Sequence, residues 1–136
     1  MAKYGAFGTQ FKRGAVVVAQ VSNISGPGLS LDTEDVTSHD SPGGWEEVVG
    51  TILRSGEVTL DLVYDPALAT HRNVAGGILG DLVGRASTTY SIVFPNPAMT
   101  AWNFTAFCVG FEPGMPHDGA LTASVTYKLT GAPTLA

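Results

Sequence analysis

Two segments of the chain alternate strictly between two sets of residues. In residues 57–65 the apolar Val58, Leu60, Leu62 and Tyr64 alternate with the mostly polar Glu57, Thr59, Asp61 and Val63. In residues 121–129, Leu, Ala, Val, Tyr and Leu alternate with Thr, Ser, Thr and Lys. Because successive side chains of a β-strand point to opposite faces, each segment is predicted to be a strand with one core face and one polar face.

Four further segments are rich in β-branched and aromatic residues between turn-forming residues, which predicts strands. They are residues 9–12 and 15–24, which would form a hairpin, and residues 88–94 and 102–111. Residues 66–82 have apolar residues near helical spacing, interrupted by glycines, and they follow Asp65, a residue type favoured at N-caps. The sequence therefore predicts a mainly β fold, an antiparallel β-sandwich or barrel with one flanking α-helix.

A long loop is predicted at about residues 25–50. Gly, Pro, Ser and Asp recur through its first twenty residues, where Leu29, Leu31 and Val36 are the only large apolar residues, and Trp45 follows. Loops longer than about 12–15 residues are uncommon in compact domains and are usually functional or disordered. We expect a docking loop, whose spaced apolar side chains are buried against another surface.

The C-terminal end is predicted to be a short arm. The alternation of the last strand stops at Leu129, and Gly131 and Pro133 follow, which are residue types that end strands. Leu135 lies beyond this break, where a docking contact would explain an apolar residue. Residues 131–136 are therefore expected to form an exposed arm.

The composition is that of one globular domain, residues 1–136, with 44% hydrophobic residues. No apolar run approaches the roughly 20 residues of a membrane-spanning helix, no signal-like segment begins the chain, and Cys108 is the single cysteine, which together favour a cytoplasmic origin. The net charge of −5 argues against binding to nucleic acid or anionic membranes. Only 14% of residues are charged, against about 25% in ordinary soluble domains, which favours a surface buried against other copies of the chain.

Candidate catalytic and metal-binding groups do not form a recognisable pattern. Ser38, His39 and Asp40 are adjacent in sequence, whereas the members of a catalytic triad converge from separate segments. The three histidines lack the spacing that places two ligands on one metal ion. Cys108 lies in an aromatic strand, which is typical of a buried thiol. We expect no catalytic residue, cofactor or metal, and a structural or binding protein rather than an enzyme.

A series of short motifs covers nearly the whole chain. They are Ser25-Gly26-Pro27-Gly28, Asp35-Val36-Thr37-Ser38-His39-Asp40-Ser41, Gly43-Gly44-Trp45-Glu46-Glu47, Gly56-Glu57-Val58-Thr59-Leu60, Tyr64-Asp65-Pro66, Phe94-Pro95, and the runs at 107–113 and 121–135. In order and spacing they resemble the major tail tube proteins of long, non-contractile phage tails. Residues 48–55 depart from the tight turn expected at that place, which affects the expected local loop shape.

The resemblance implies a β-sandwich with a flanking helix, six copies per ring, and rings stacked into a tube that conducts the genome from capsid to host. It implies a protein of the virion tail that is made in the host cytoplasm and has no membrane segment. Its partners would be further copies of itself and other tail proteins, such as the tape measure, tail terminator and distal tail proteins. DNA would pass through without specific binding.

Residue roles are assigned on this implied tube. The expected contacts between subunits or rings are Leu29, Leu31, Val36, Trp45 and Leu135. The expected lumen face is the polar side of the 57–65 strand, with Glu57, Thr59 and Asp61. An acidic or neutral lining would let DNA slide, whereas a basic lining would hold its phosphates. Periodicity alone leaves open whether this face points inward or outward.

Two alternatives remain open. A tube protein of a type VI secretion system or a gene transfer agent would share the ring and the fold, and the genomic neighbourhood would distinguish it. A monomeric β carbohydrate-binding module would be expected to display an exposed aromatic platform, whereas Trp45 and Trp102 lie in unrelated segments.

Overall fold

The strands form one large antiparallel sheet and one separate hairpin. The computed structural model describes residues 3–135. Its strands are β1 (Gln10–Arg13), β2 (Val16–Val17), β3 (Val21–Ser25), β4 (Ser30–Asp35), β5 (Val48–Arg54), β6 (Glu57–Val63), β7 (Thr88–Val93), β8 (Ala101–Gly114) and β9 (Thr122–Leu135), with α1 at Ile78–Gly84. Seven strands are hydrogen-bonded in the order β2-β1-β7-β8-β9-β6-β3, and β4 pairs with β5. The predicted mainly β, antiparallel fold is confirmed.

The large sheet curls until its two ends approach each other. Phe11 on β1 and Tyr127 on β9 have ring centroids 5.3 Å apart, although β7 and β8 lie between these two strands in the sheet. Three strand spacings of a flat sheet would separate them by about 14 Å. β1, near one end of the sheet, also contacts β3 at the other end. The result is a barrel-like sheet whose concave side encloses the core.

The apolar faces of β6 and β9 line that concave side, as their alternation predicts. Val58, Leu60 and Leu62 are fully buried. Leu60 lies opposite Val125 in the register of the two strands, and Val125 is also fully buried. The core face of both strands is therefore confirmed.

A partly buried ion pair ties α1 to the sheet. Asp81 accepts two hydrogen bonds from the Arg13 guanidinium, at 2.8 and 2.9 Å, and one from the Tyr90 hydroxyl at 2.6 Å. Burial raises the pKa of Tyr90, and its hydrogen bond to the Asp81 carboxylate raises it further. Asp81 thereby joins the helix to β1 and β7.

The predicted helix is wrong over most of its length. We expected residues 66–82, whereas α1 spans only Ile78–Gly84 and turns precede it. Gly77 lies so close to the carbonyl oxygen of Arg72 that a Cβ atom would overlap it. The chain doubles back at this contact, which a continuous helix would not allow. The glycines that interrupt the apolar pattern were the signal for this break.

Two further predictions about the first half of the chain need correction. Residues 15–24 form two strands, β2 and β3, separated by a turn in which Gln20 has a φ of 61°. Residues 25–50 are not one continuous loop, because β4 and the first residues of β5 pair within them. Both faces of these strands are exposed, so no apolar alternation marks them. We call residues 30–54 the ribbon and residues 36–47 its tip.

β9 continues through the predicted strand end. Leu135 pairs with Trp102 on β8, and the register shifts before this pair so that residues 131–133 form a bulge. A proline is tolerated in a bulge because no ladder hydrogen bond is needed from it. The predicted exposed arm at 131–136 is therefore part of β9 over its described residues, which are mostly exposed, and Ala136 lies outside the described residues.

Candidate assembly surfaces

The polar side of β6 lies on the convex side of the sheet. Glu57 and Asp61 are exposed and Thr59 is half-buried, whereas the alternating Leu60 is fully buried. α1 does not cover these polar side chains, because its Ile78 packs into the core on the concave side. The predicted division of this strand into a core face and a polar face is confirmed.

We call the convex side of β3, β6, β8 and β9 the open face. Its residues form cross-strand rows, among them Asn23–Asp61–Ser124–Glu112, Ser25–Thr59–Thr126 and Glu57–Lys128–Phe107. The Asn23 side-chain amide donates a hydrogen bond to the Asp61 carboxylate at 3.4 Å. Three acidic side chains in these rows meet one cation, Lys128, and the remaining positions are mainly Ser and Thr. The open face is therefore rich in hydroxyl groups and weakly acidic.

The ribbon has no buried side. Every residue of β5 and all but one residue of β4 are exposed. Leu31 and Leu53 lie opposite each other on one side, and Leu53 is 81% exposed. On the other side, Arg54 and Asp32 form an ion pair at 2.8 Å. Within residues 3–135, β4 and β5 pack extensively only against each other. The ribbon is thus a hairpin that exposes both apolar and charged side chains and has little tertiary cover.

Hydrogen bonds within the tip hold it in a defined conformation. The backbone N–H of Glu47 donates to the Thr37 hydroxyl at 2.8 Å, and the Glu47 carboxylate accepts a hydrogen bond from Ser41 at 3.1 Å. Ser41 is buried and also accepts a hydrogen bond from the backbone N–H of Ser38 at 2.9 Å. Trp45, which follows a short 3₁₀ turn, is 77% exposed. An ordered loop therefore presents this indole to solvent.

The residues predicted as contacts all lie outside the core. Leu29, Leu31, Val36, Trp45 and Leu135 are between 49% and 77% exposed. Sequence reasoning missed the apolar residues of β5, of which Val48, Val49, Ile52 and Leu53 are also exposed. Their signal was the apolar run in residues 48–53, in the segment that departs from the family's expected turn.

A groove of about 1020 Å³ lies between residues 4–10, near the N-terminus, and β3. Its lining includes Ile24, Phe94, Trp102 and Leu135, and no lining residue is charged. The sequence did not predict this groove, because its walls come from regions that are far apart in the chain, within residues 4–10, 21–26, 92–102 and at 135. The N-terminal groove is therefore a second uncovered apolar surface.

The side chains that could carry chemistry are used in local structure. Ser38 Oγ accepts a hydrogen bond from the backbone N–H of Asp40 at 3.3 Å. His71 is buried, with Nε2 donating to the carbonyl of Ala19 at 2.7 Å and Nδ1 accepting a backbone N–H. Burial raises the pKa of the Cys108 thiol to about 11, which disfavours the reactive thiolate.

Within residues 3–135, no group of three or more His, Cys, Asp or Glu side chains is arranged to hold a metal ion. No helix in this part of the chain is both long enough and apolar enough to cross a membrane.

Comparison with known proteins assigns the chain to a family. Residues 8–136 match the lambda phage tail tube protein family. The chain belongs to this family. Its members are structural tail tube subunits, as the motifs along the chain suggest. No curated protein matches the sequence.

Solved structures with the tail tube fold come from several assemblies. A chain in the virion of a native gene transfer agent particle has a TM-score of 0.77 at 16% identity, covering 98% of this chain and 99% of that chain. A chain in the tail of an empty gene transfer agent particle with C6 symmetry has a TM-score of 0.71 at 15% identity, covering 98% and 99%. A chain in the sheath–tube complex of the extracellular contractile injection system PVC has a TM-score of 0.74 at 15% identity, covering 98% and 91%. The fold is therefore shared over nearly the whole chain.

Family membership narrows the alternatives. The fold is shared with a contractile system, so it does not by itself distinguish a tail without a sheath from one with a sheath. The carbohydrate-binding alternative is set aside, because the chain is a tail tube family member. Its two tryptophans also form no common platform, since Trp102 packs against the core and Trp45 lies at the tip.

Proposed function

We propose that this chain assembles into hexameric rings that stack into the tube of a non-contractile phage tail, the conduit for genome delivery. The observation that carries this proposal is the match of residues 8–136 to the lambda phage tail tube protein family. The likeness to a chain from a tail with C6 symmetry supports six subunits per ring. The protein would be made in the host cytoplasm and incorporated into the virion tail.

The open face is proposed as the lumen lining, with Glu57, Thr59 and Asp61 facing the DNA. This face is uncovered in the subunit and carries mostly hydroxyl groups with a small excess of carboxylates. Such a surface gives the phosphates few cations to bind, so a moving polyanion meets no strong attachment along the tube. The proposed lining therefore allows DNA to pass without specific binding.

The exposed apolar side chains are proposed as the contacts between subunits or rings. They are the predicted Leu29, Leu31, Val36, Trp45 and Leu135, together with the exposed apolar residues of β5. A two-stranded hairpin is at best marginally stable alone in water, so a partner surface would stabilise the ribbon by covering its apolar side. Contacts between two different surfaces do not close on themselves between rings, and they therefore produce a filament.

The proposed partners are further copies of this chain along the tube. Tape measure, tail terminator and distal tail proteins are proposed to meet the tube in its lumen and at its two ends. A gene transfer agent tube is the second candidate, because a chain from such a virion has a TM-score of 0.77 with this one. The DNA packaged in particles that carry this protein would distinguish the two candidates.

Negative-stain electron microscopy of the purified chain tests the proposal. We expect rings with six-fold symmetry and, at higher protein concentration, tubes built from stacked rings. Analytical ultracentrifugation of the same sample should show species larger than the 14.1 kDa monomer. A protein that stays monomeric at all accessible concentrations, with or without the other tail proteins, would contradict the proposed function.

A further inference from the structure

The ribbon carries the whole net charge of the protein. Residues 30–54 contain six acidic residues and one arginine, a net charge of −5, which equals the net charge of the full chain. The remaining residues hold six acidic and six basic side chains, and are therefore neutral overall. The acidic residues of the ribbon are Asp32, Glu34, Asp35, Asp40, Glu46 and Glu47. Only Asp32 has a cationic partner within residues 3–135.

The N-terminal segment has the opposite charge. Residues 1–14 contain Lys3, Lys12 and Arg13 and no acidic residue. Arg13 is paired with Asp81, whereas Lys3 is exposed and Lys12 is half-buried. Tyr4 and Gln10 line the N-terminal groove. Lys3 is adjacent in sequence to Tyr4, and Lys12 is two residues after Gln10. A cationic segment therefore borders an uncharged apolar groove.

Two uncovered surfaces could receive the ribbon, the open face and the N-terminal groove, and they differ in charge. The rows of the open face carry three carboxylates, on Glu57, Asp61 and Glu112, against Lys128. An acidic ribbon would be repelled by that face and attracted by the N-terminal segment. Electrostatic complementarity thus favours the N-terminal groove as the docking surface.

The groove also fits the apolar end of the ribbon. Cavities of about 300–1,000 Å³ accommodate drug-sized ligands, so a groove of about 1020 Å³ has room for an indole and the residues beside it. Trp45 is 77% exposed, so it does not fill the groove of its own subunit. Glu46 and Glu47 directly follow Trp45, which would place two carboxylates at the rim of the groove.

We propose that the ribbon of one subunit docks on the N-terminal groove of a second copy of this chain. Trp45 enters the groove, and the carboxylates of the tip face Lys3 and Lys12 of that copy. The inference rests on the proposed tube and specifies one of its contacts. It makes assembly dependent on ionic strength, because the attraction between exposed charges is screened by salt.

Charge reversal tests this docking. The double variant K3E/K12E is expected to raise the critical concentration for assembly at least tenfold in low salt, and D40K/E46K should do the same. Asp40 and Glu46 are exposed tip carboxylates, and D40K/E46K leaves the hydrogen bond between Ser41 and Glu47 intact. The combined four-residue variant should assemble within about threefold of the wild type, because the opposite charges face each other again. R72E/R85E is the matched control, since it reverses two exposed cations outside the N-terminal segment and should assemble normally. Carbodiimide cross-linking followed by mass spectrometry should join Lys3 or Lys12 to Glu46 or Glu47 between subunits.

The possible results distinguish failure of the proposed docking from failure of the proposed tube. Wild-type-like assembly of K3E/K12E, or failure of the four-residue variant to recover, overturns the docking and leaves the tube intact. If the wild type forms oligomers other than tubes, and these oligomers dissociate in the K3E/K12E variant, the docking is supported and the tube is contradicted. A wild-type chain that stays monomeric contradicts both.

Discussion

β5 and β6 each have seven residues and are separated by only two, yet their burial differs completely. Every residue of β5 is exposed, whereas Val58, Leu60 and Leu62 of β6 are fully buried. Between the two strands, Gly56 has a φ of 72° and lies so close to the backbone of Gly28 that a Cβ atom would overlap it. The ribbon therefore leaves the sheet at a close backbone contact that favours glycine.

This difference in burial indicates which apolar residues stabilise the folded monomer and which are available for assembly. The apolar side chains of the curled sheet are covered within one subunit, so their burial stabilises the monomer. The apolar side chains of the ribbon remain in solvent in the monomer, so they can contribute free energy only when a partner covers them. The sheet should thus control stability and the ribbon should control association.

The largest expected effect is a loss of stability on replacing a leucine of the sheet, compared with the same replacement in the ribbon. Leu60→Ala should lower the free energy of unfolding by about 2–5 kcal/mol, because it leaves a cavity in the core. Leu31→Ala in the ribbon should change it by no more than about 0.5 kcal/mol, because the side chain is exposed. Urea unfolding of both variants at a concentration where the protein is monomeric measures the two values. Equal losses would show that the ribbon is part of the folding core.

The next prediction concerns assembly. Trp45→Ala should leave a folded monomer and raise the critical concentration for assembly about 30-fold or more, as expected for an aromatic hot spot worth at least about 2 kcal/mol. Val83→Ala is the matched control, because Val83 is an exposed apolar residue on α1. Circular dichroism and pelleting assays measure folding and assembly separately. Unfolding of the isolated W45A variant would assign Trp45 to the monomer core instead.

A smaller effect, on DNA passage, is expected from the open face. Glu57→Lys with Asp61→Lys changes the charge by about four units per subunit and should slow DNA ejection from assembled particles by about tenfold at low salt. Recovery is expected toward 1 M salt, where the screening length falls to about 3 Å. The neutral double variant Glu57→Gln with Asp61→Asn controls for loss of the carboxylates. Normal ejection through well-formed tubes of the lysine variant would place this face outside the lumen.

The smallest effect is expected from removing the hydroxyl of Tyr127 in the core, and Tyr90 serves as the comparison. The Tyr127 hydroxyl is buried without a hydrogen-bond partner in the described residues, so Tyr127→Phe should change stability at pH 7 by between zero and a gain of about 1 kcal/mol. Tyr90→Phe loses the hydrogen bond to the Asp81 carboxylate and should cost about 1.5–3 kcal/mol. Urea unfolding at pH 7 compares the two. A similar loss in Y127F would show that its hydroxyl has a partner.

The same tyrosines predict how stability depends on alkaline pH. Burial raises the pKa of both hydroxyls above the ordinary value of 10.0. The folded protein therefore keeps protons that the unfolded chain releases, so this stability is fully present below pH 10 and is lost as pH rises above it. Y127F should unfold at higher pH than the wild type in an alkaline titration followed by circular dichroism. An unchanged midpoint would contradict this assignment.

Part of the molecule could be predicted from the pattern of residues alone. β6 and β9 alternate strictly because each has one face in the core and one in solvent, a relation that every residue of the strand repeats. The family resemblance was likewise available from the motifs. Trp45, Leu31 and Leu135 are exposed in the subunit, and their role as contacts stays a prediction.

The rest was decided by contacts between distant parts of the chain. β4 forms a strand because it pairs with β5. β9 continues beyond its bulge because it pairs with β8 as far as Trp102. The composition gives the net charge, but only the fold places all of it on a ribbon that leaves the sheet at Gly56. Hydrogen bonds between strands join residues that are far apart in sequence, so a local pattern determines which face of a strand is buried, whereas the tertiary structure determines where the strand ends and what it leaves uncovered.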